Sequence, residues 1–394
     1  MKILILACAC LILLNLQCSE RKNTESTVEA GSKARLAVGA EQFDKYLPLL
    51  RDKRVALVVN HTSMVGKTHL ADTLKALGIN LTKIFAPEHG FRGTADPGEH
   101  VDDGVDRKLG LPVVSLYGDN RKPKEEQLVD TDILIFDIQD VGTRFYTYIS
   151  TLHYVMEACA ENNKTLIVLD RPNPNSFVDG PILDTAFRSF VGMHPIPVVH
   201  GLTVGELAQM VNGEGWLKGK LKCKLEVIPV LHWKRDQFYS CPVRPSPNLP
   251  DDQSIRLYPS LCFFEGTVIS IGRGTQTPFQ VIGHPMLKNM PYQFTPVSIE
   301  GMMKNPAFEN EVCYGIDLRN TPVERRMNIQ YVIDMYNAFP EKDKFFNSYF
   351  NTLAGNATLR KKIEDGVPEA AIRESWQAGL EEYLEMRGKY LIYP

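Results

Sequence analysis

The sequence predicts an α/β protein: a Rossmann-like, doubly wound, mostly parallel sheet, followed by a smaller α+β C-terminal domain. Two observations carry the prediction. Short continuous apolar runs alternate with amphipathic helical segments from residue 54 to about 230, as in a sheet covered by helices on both faces. From about Asp236 the texture changes to Pro- and Gly-rich segments such as RPSPNLPDD (244–252), and helical patterns return only near the end.

The chain has 394 residues, 44% hydrophobic and 23% charged. That length suffices for two or three domains by ordinary domain size, about 100–200 residues each. The formal net charge is −3 and no run of Lys or Arg exceeds three. Nothing electrostatic therefore marks a nucleic-acid surface or a polybasic membrane patch.

Taken in order, residues 1–18 (MKILILACACLILLNLQC) read as one basic residue and an apolar run. The run is too short to span a bilayer and right for the core of a signal peptide. Cys18 closes it before a polar linker over 19–35, the arrangement of a bacterial lipoprotein lipidated on that cysteine, although Gln17 is atypical there. The expected address is extracytoplasmic, periplasmic or outer-membrane-anchored. Cys159, Cys223, Cys241, Cys262 and Cys313 follow without a CxxC pair. They argue against zinc and for buried thiols with at most two disulfides.

Strands are expected at 54–60, 81–86, 111–118, 132–138, 165–170 and 225–230, with helices at 68–77 and 147–161. HGLTVGELAQMVN (200–212) reads as a helix N-capped by Thr203, with Glu206 closing a capping box. A domain boundary is placed at 240, giving a catalytic domain over 36–240 and a cleft-closing domain over 241–394. The last helices carry an apolar stripe through Ile372, Trp376, Leu380 and Tyr383.

In a doubly wound sheet, ligands sit beyond the carboxyl ends of the strands. Those ends read Asn60-His61-Thr62, Glu88-His89-Gly90, Tyr117-Gly118-Asp119, Asp137-Ile138-Gln139-Asp140 and Asp170-Arg171-Pro172-Asn173. Among the carboxylates, Glu88, Asp137, Asp140 and Asp170 could be brought in pairs to the separation used in glycoside hydrolysis, roughly 5–9.5 Å. The competing structural expectation is that Asp137 and Asp170 cap turns and pair with Arg144 and Arg171. Asn60, Asn173 and Asn248 are loop amides suited either to sugar hydroxyls or to turns.

Other chemistries lack their signatures. VGKT (65–68) has His61 where a phosphate loop needs glycine, and IGRGT (271–275) is no dinucleotide fingerprint. The histidines form no HxxxH pair, so neither a metal nor a cofactor is expected. A serine hydrolase would want GxSxG, which is missing.

VVNHTS, FAPEHGFRG, PGE (97–99), FDIQDVGTRFYTYISTL, VLDRPNP, HGLTVGELA, PSPNLP, FFEGTVISIGRGTQTPFQVIGHP and the terminal RGKYLIYP together resemble the exo-beta-N-acetylmuramidase NamZ family. The resemblance runs from about residue 36 to 394. It implies release of single β-1,4-linked N-acetylmuramic acid units from non-reducing ends of peptidoglycan fragments, in a cleft between a Rossmann-like and a smaller domain, without a nucleotide. By motif, Glu88 is the expected general acid, with Asp170 as second carboxylate and Asp137 or Asp140 as competitors. Arg92, Arg171 and Arg273 are candidates for the lactyl carboxylate, which a guanidinium can grip with two bonds. Asn60, His61, His89, Arg144, Asn173, Asn248 and Glu265 complete the expected pocket. One departure from the family pattern is NSFVDGP, where Asp179 stands in place of glutamate and leaves the second carboxylate open. The alternative function is a non-catalytic glycan-binding lipoprotein on the same fold.

Overall fold

The computed structural model describes residues 35–91 and 103–394. The expected signal segment, the linker up to residue 34, Cys18, Arg92 and PGE (97–99) lie outside the described residues.

Seven strands form the central sheet, in the spatial order Lys224–Ile228, Thr165–Leu169, Ile133–Asp137, Val55–Val59, Leu81–Ala86, Leu111–Ser115 and Gly104–Asp106. All pairings are parallel except the last, which is antiparallel. Val55–Val59 and Ile133–Asp137 are buried along their whole length. That burial is why they read as uninterrupted apolar runs instead of alternating ones. The chain builds outward from Val55–Val59 through 81–86 to 111–115, then returns to 133–137 and proceeds the other way. The winding therefore reverses beside Val55–Val59, and the neighbouring strand ends are the place where such sheets leave a crevice.

One face of the sheet packs on Leu70–Ala76 through Leu70, Ala71 and Leu74. This helix is shorter than expected from 68–77, because Thr68 and His69 pair with Met64 and Val65 as a small hairpin. The other face packs on Tyr148–Glu161 and Val204–Gly213. Thr203 caps the latter through the expected box: its hydroxyl accepts from the Glu206 N–H (3.2 Å), and the Glu206 carboxylate accepts from the Thr203 N–H (2.9 Å).

Asp252–Leu261 is a helix within the segment whose Pro-rich texture suggested few helices. Asp251 caps it, and Pro259 lies inside it. Pro259 has no N–H to give to the Ile255 carbonyl four residues back, and Asn175 Nδ2 donates to that carbonyl instead at 3.0 Å. A second, antiparallel sheet joins Val281–His284, Cys313–Asp317 and Tyr292–Phe294. The apolar stripe through Ile372, Trp376, Leu380 and Tyr383 is buried, but it is shared by two helices, Glu369–Glu374 and Gln377–Gly388. These C-terminal side chains join the same core as the helices on the sheet, and residues 35–394 form one compact unit. Among the described residues the five cysteines are free thiols, and Cys159, Cys223, Cys262 and Cys313 are buried.

Candidate active site

A cavity of about 460 Å³ lies beyond the strand ends, within the 300–1,000 Å³ typical of small-ligand sites. Four segments of the sheet half line it. Glu88 and His89 follow strand Leu81–Ala86, Tyr117 and Arg121 follow Leu111–Ser115, Phe145 to Tyr148 lead into helix Tyr148–Glu161, and Ser189 to Val191 belong to a loop. From the other half come Ser246, Asn248, Glu265, Arg273 and Tyr349.

Glu88 is presented by a sharp turn. Pro87 ends the strand, His89 and Gly90 follow at φ +67° and +74°, and the Gly90 N–H bonds back to the Pro87 carbonyl at 2.9 Å. A left-handed conformation is costly for a residue with a side chain, and here it turns the chain away directly after Glu88. Thr147 occupies the N-cap position of helix Tyr148–Glu161, yet its side chain makes no cap. Its hydroxyl instead donates to Glu88 Oε2 at 2.7 Å. Tyr117 lines the same cavity, and burial first, then the charge of Glu88, holds its phenol above the ordinary range. Tyr117 is therefore neutral at working pH. No ion pair reaches Glu88 among the described residues.

The second carboxylate on the wall is Glu265, in the 3₁₀ turn Cys262–Gly266. Arg273 Nη2 donates to Glu265 Oε1 at 2.6 Å, and the Arg273 guanidinium lies 5.2 Å from the Phe279 ring centroid. The pair is about a quarter exposed, 21% for Arg273 and 26% for Glu265, so its charges face the cavity. Arg273 Nη1, Asn248 Oδ1, Ser189 Oγ and Tyr148 Oη belong to residues of the wall, are buried and make no hydrogen bond among the described residues. Buried polar atoms are nearly always satisfied. Four on one wall mark where a hydroxyl- and amide-bearing ligand would supply the missing bonds.

The structure thus brings Glu88, His89, Asn248, Glu265 and Arg273 of the expected set to one cavity. The three aspartates expected to supply the second carboxylate lie elsewhere. Asp170 is 0% exposed, and its oxygens accept from Thr203 Oγ1 (2.7 Å), Gly205 N (2.8 Å) and Tyr393 Oη (2.6 Å). It ties helix Val204–Gly213 and the C-terminal tail to the sheet. A Cβ on Gly205 would stand 2.8 Å from that carboxyl, so the helix approaches only because the residue is glycine. Asp137 is clamped by Arg171 through two bonds, 2.5 and 2.9 Å, with both side chains almost wholly buried. Asp140 Oδ2 accepts from the Gly142 N–H at 2.7 Å and holds the turn after its strand.

Among the expected binding residues, Arg171 is consumed by Asp137. Arg144 is 0% exposed and donates to the carbonyls of Pro181, Ile196, Leu353 and Ala354. Burial lowers its pKa to about 9. Neither it nor Asp137 is the other's partner; Arg144 docks the carboxyl end of helix Tyr349–Ala354, which carries Tyr349 to the cavity. Asn60 binds the Thr62 N–H and hydroxyl, and Asn173 binds the Leu202 carbonyl and the Asn175 N–H. His61 Nε2 bonds the Arg244 carbonyl. These loop amides and this imidazole hold turns and lie off the cavity wall. Asp179 receives a bidentate grip from Arg373 (2.9 and 2.8 Å) and accepts from the Met327 N–H, clamping the C-terminal helices.

Sequence reasoning did not single out Arg121, Thr147, Tyr148, Ser189, Phe190 or Tyr349 for the site. The aromatic run FYTY (145–148) after a strand end was the available signal for two of them. The others come from loops and a helix remote in sequence. Among the described residues no group of three His, Cys, Asp or Glu could hold a metal ion, and no helix is long and apolar enough to cross a membrane.

The buried Asp170 carries a pH signature. Burial raises its pKa to about 6, against the pull of Thr203, Tyr393 and the Gly205 N–H. The unfolded value is near 3.9, so the folded state binds more protons between the two. Stability then falls as pH rises from about 4 to 6, by about 2–3 kcal/mol, and is level above. Denaturant melts of the wild type and Asp170→Asn across this range should differ in slope by that amount. Parallel curves would show that Asp170 is ionised throughout.

The family model described as exo-beta-N-acetylmuramidase NamZ, N-terminal, matches residues 55–253, and its C-terminal counterpart matches residues 256–393. The chain is 38% identical to a peptidoglycan beta-N-acetylmuramidase NamZ of Bacillus subtilis (strain 168) over 395 aligned positions, 94% of each chain. Two crystal structures of DUF1343 family proteins from Bacteroides fragilis NCTC 9343 are similar throughout. One has a TM-score of 0.85 and 46% identity, covering 91% of this chain and 99% of its own. The other has a TM-score of 0.79 and 30% identity, covering 92% and 100%.

Proposed function

Because the chain belongs to the exo-beta-N-acetylmuramidase NamZ family, we propose that it hydrolyses the β-1,4 bond of a non-reducing-end N-acetylmuramic acid in peptidoglycan fragments. The observation that carries the reading is a pair of glutamates of different character on one cavity wall. Glu265 sits against the Arg273 guanidinium, whereas Glu88 is held by the neutral hydroxyl of Thr147.

Glycoside hydrolysis needs one carboxyl group as proton donor to the leaving oxygen and one ionised partner at the anomeric centre. Glu265, paired with the Arg273 guanidinium, takes the part of base or nucleophile. Glu88, which no cation pairs among the described residues and which accepts from Thr147, takes that of acid. The bond from the anomeric carbon to O4 of the next sugar breaks as the Glu88 proton moves to that oxygen. Water supplies the hydroxyl that ends on the released sugar. Asn248, Ser189 and the free Nη1 of Arg273 would bind the ring's acetamido and hydroxyl groups. Glu88 belongs to the half of the chain before residue 240 and Glu265 to the half after it, so in this reading the site needs both. The apolar run ending at Cys18 supports an extracytoplasmic protein held by a lipid on that cysteine.

A chromogenic β-N-acetylmuramide and the matching β-N-acetylglucosaminide test the reading. Colour from the first and little from the second is the expected result. Tight binding of muramides with no turnover would replace the enzyme by a glycan-binding protein.

A further inference from the structure

Arg121 is an exposed residue that also lines the cavity, so it stands at the rim. Two contacts fix it there. Its Nε donates to the Gly118 carbonyl at 3.0 Å, and the guanidinium carbon lies 4.6 Å from the Phe190 ring centroid. Stacking on an aromatic face orients a guanidinium while leaving its edge open. With Nε engaged, the edge formed by Nη1 and Nη2 remains.

Among the described residues no carboxylate pairs with Arg121. Of the other arginines weighed for an anion, Arg273 has its charge paired with Glu265 at 2.6 Å, Arg171 is paired with Asp137 away from the cavity, and Arg92 lies outside the described residues. Arg121 also shares a loop with Tyr117, and both line the cavity that holds Glu88, so the rim cation and the proposed acid face one space. We infer that Arg121 is a specificity-determining residue that takes the carboxylate borne on O3 of the substrate sugar, the lactyl carboxylate of muramic acid. The inference rests on the muramidase reading. It separates muramic acid from glucosamine, which has a hydroxyl there and no charge.

The test uses the whole protein and three chromogenic β-muramides: the free lactyl acid, its N-methylamide, and its amide with alanine, whose carboxylate sits farther out. Loss of a charged hydrogen bond predicts that the wild type prefers the acid over the methylamide by roughly 10- to 100-fold in kcat/KM, and that Arg121→Ala shrinks the preference to about twofold. Arg121→Lys should keep part of it, since an ammonium retains the charge but not the fork. Each ratio is taken within one variant, so a change in folded fraction cancels. An undiminished preference in Arg121→Ala, or no preference in the wild type, would overturn the inference and leave the muramidase standing. An equal, Arg121-dependent preference for the alanine amide would reassign the anion to a peptide carboxylate and so overturn the lactyl assignment. Wild-type protein that turns over none of the three removes the muramidase reading and this inference with it.

Discussion

Glu88→Gln should lower kcat by about two to four orders of magnitude, the usual worth of a positioned general acid, with little change in the melting temperature. The amide preserves the shape of the side chain and its bond from Thr147, but it has no proton to give to the leaving oxygen. Because proton donation matters most to poor leaving groups, the loss should be greatest on a natural disaccharide and smaller on a nitrophenyl glycoside. Glu265→Gln provides the contrast. It removes the ionised partner of Arg273, and its loss should be similar on both substrates. If Glu88→Gln kept near-normal turnover of the disaccharide, the acid would have to be another cavity residue and the division of labour between the two glutamates would fail.

The second large effect is on stability. Arg171→Met should destabilise the fold by about 3–5 kcal/mol, the cost of leaving one member of a buried ion pair without the other. Asp137 is 0% exposed, stands at the end of a central strand and accepts two bonds from Arg171. Adding Asp137→Leu to Arg171→Met should recover most of the loss, since replacing a whole buried pair by apolar side chains is often neutral. Denaturant unfolding of the two variants measures both terms. A loss below about 1 kcal/mol for the single variant would mean that water reaches Asp137. The KM of folded Arg171→Met for muramides should match the wild type, because Arg171 does not line the cavity; a specific rise would return Arg171 to the binding site.

Much of the sheet half was legible because its signals are local. Fully buried parallel strands must be apolar throughout, so VALVV and ILIFD announce themselves. Thr203 and Glu206 close a box within one helical turn, which spacing alone specifies. The strand-end rule also led to Glu88, since a parallel strand delivers whatever follows it to the crevice. The rule then overreached at Asp137, Asp140 and Asp170. All three end or follow strands as Glu88 does, but they lie off the cavity wall, and each is bound by at least one of Arg171, Gly142, Thr203, Gly205 and Tyr393. Several of those partners lie far along the chain.

By itself the sequence determined the periodicities, the caps and the carboxyl ends of the strands, because these depend on neighbours within a few residues. Only the tertiary structure decided which carboxylates keep a free face. That choice depends on partners such as Tyr393 for Asp170 and Arg273 for Glu265, and on which walls enclose the cavity. A buried charge is silenced or left available by whatever donors the fold brings to it, and that pairing of distant groups is set by packing.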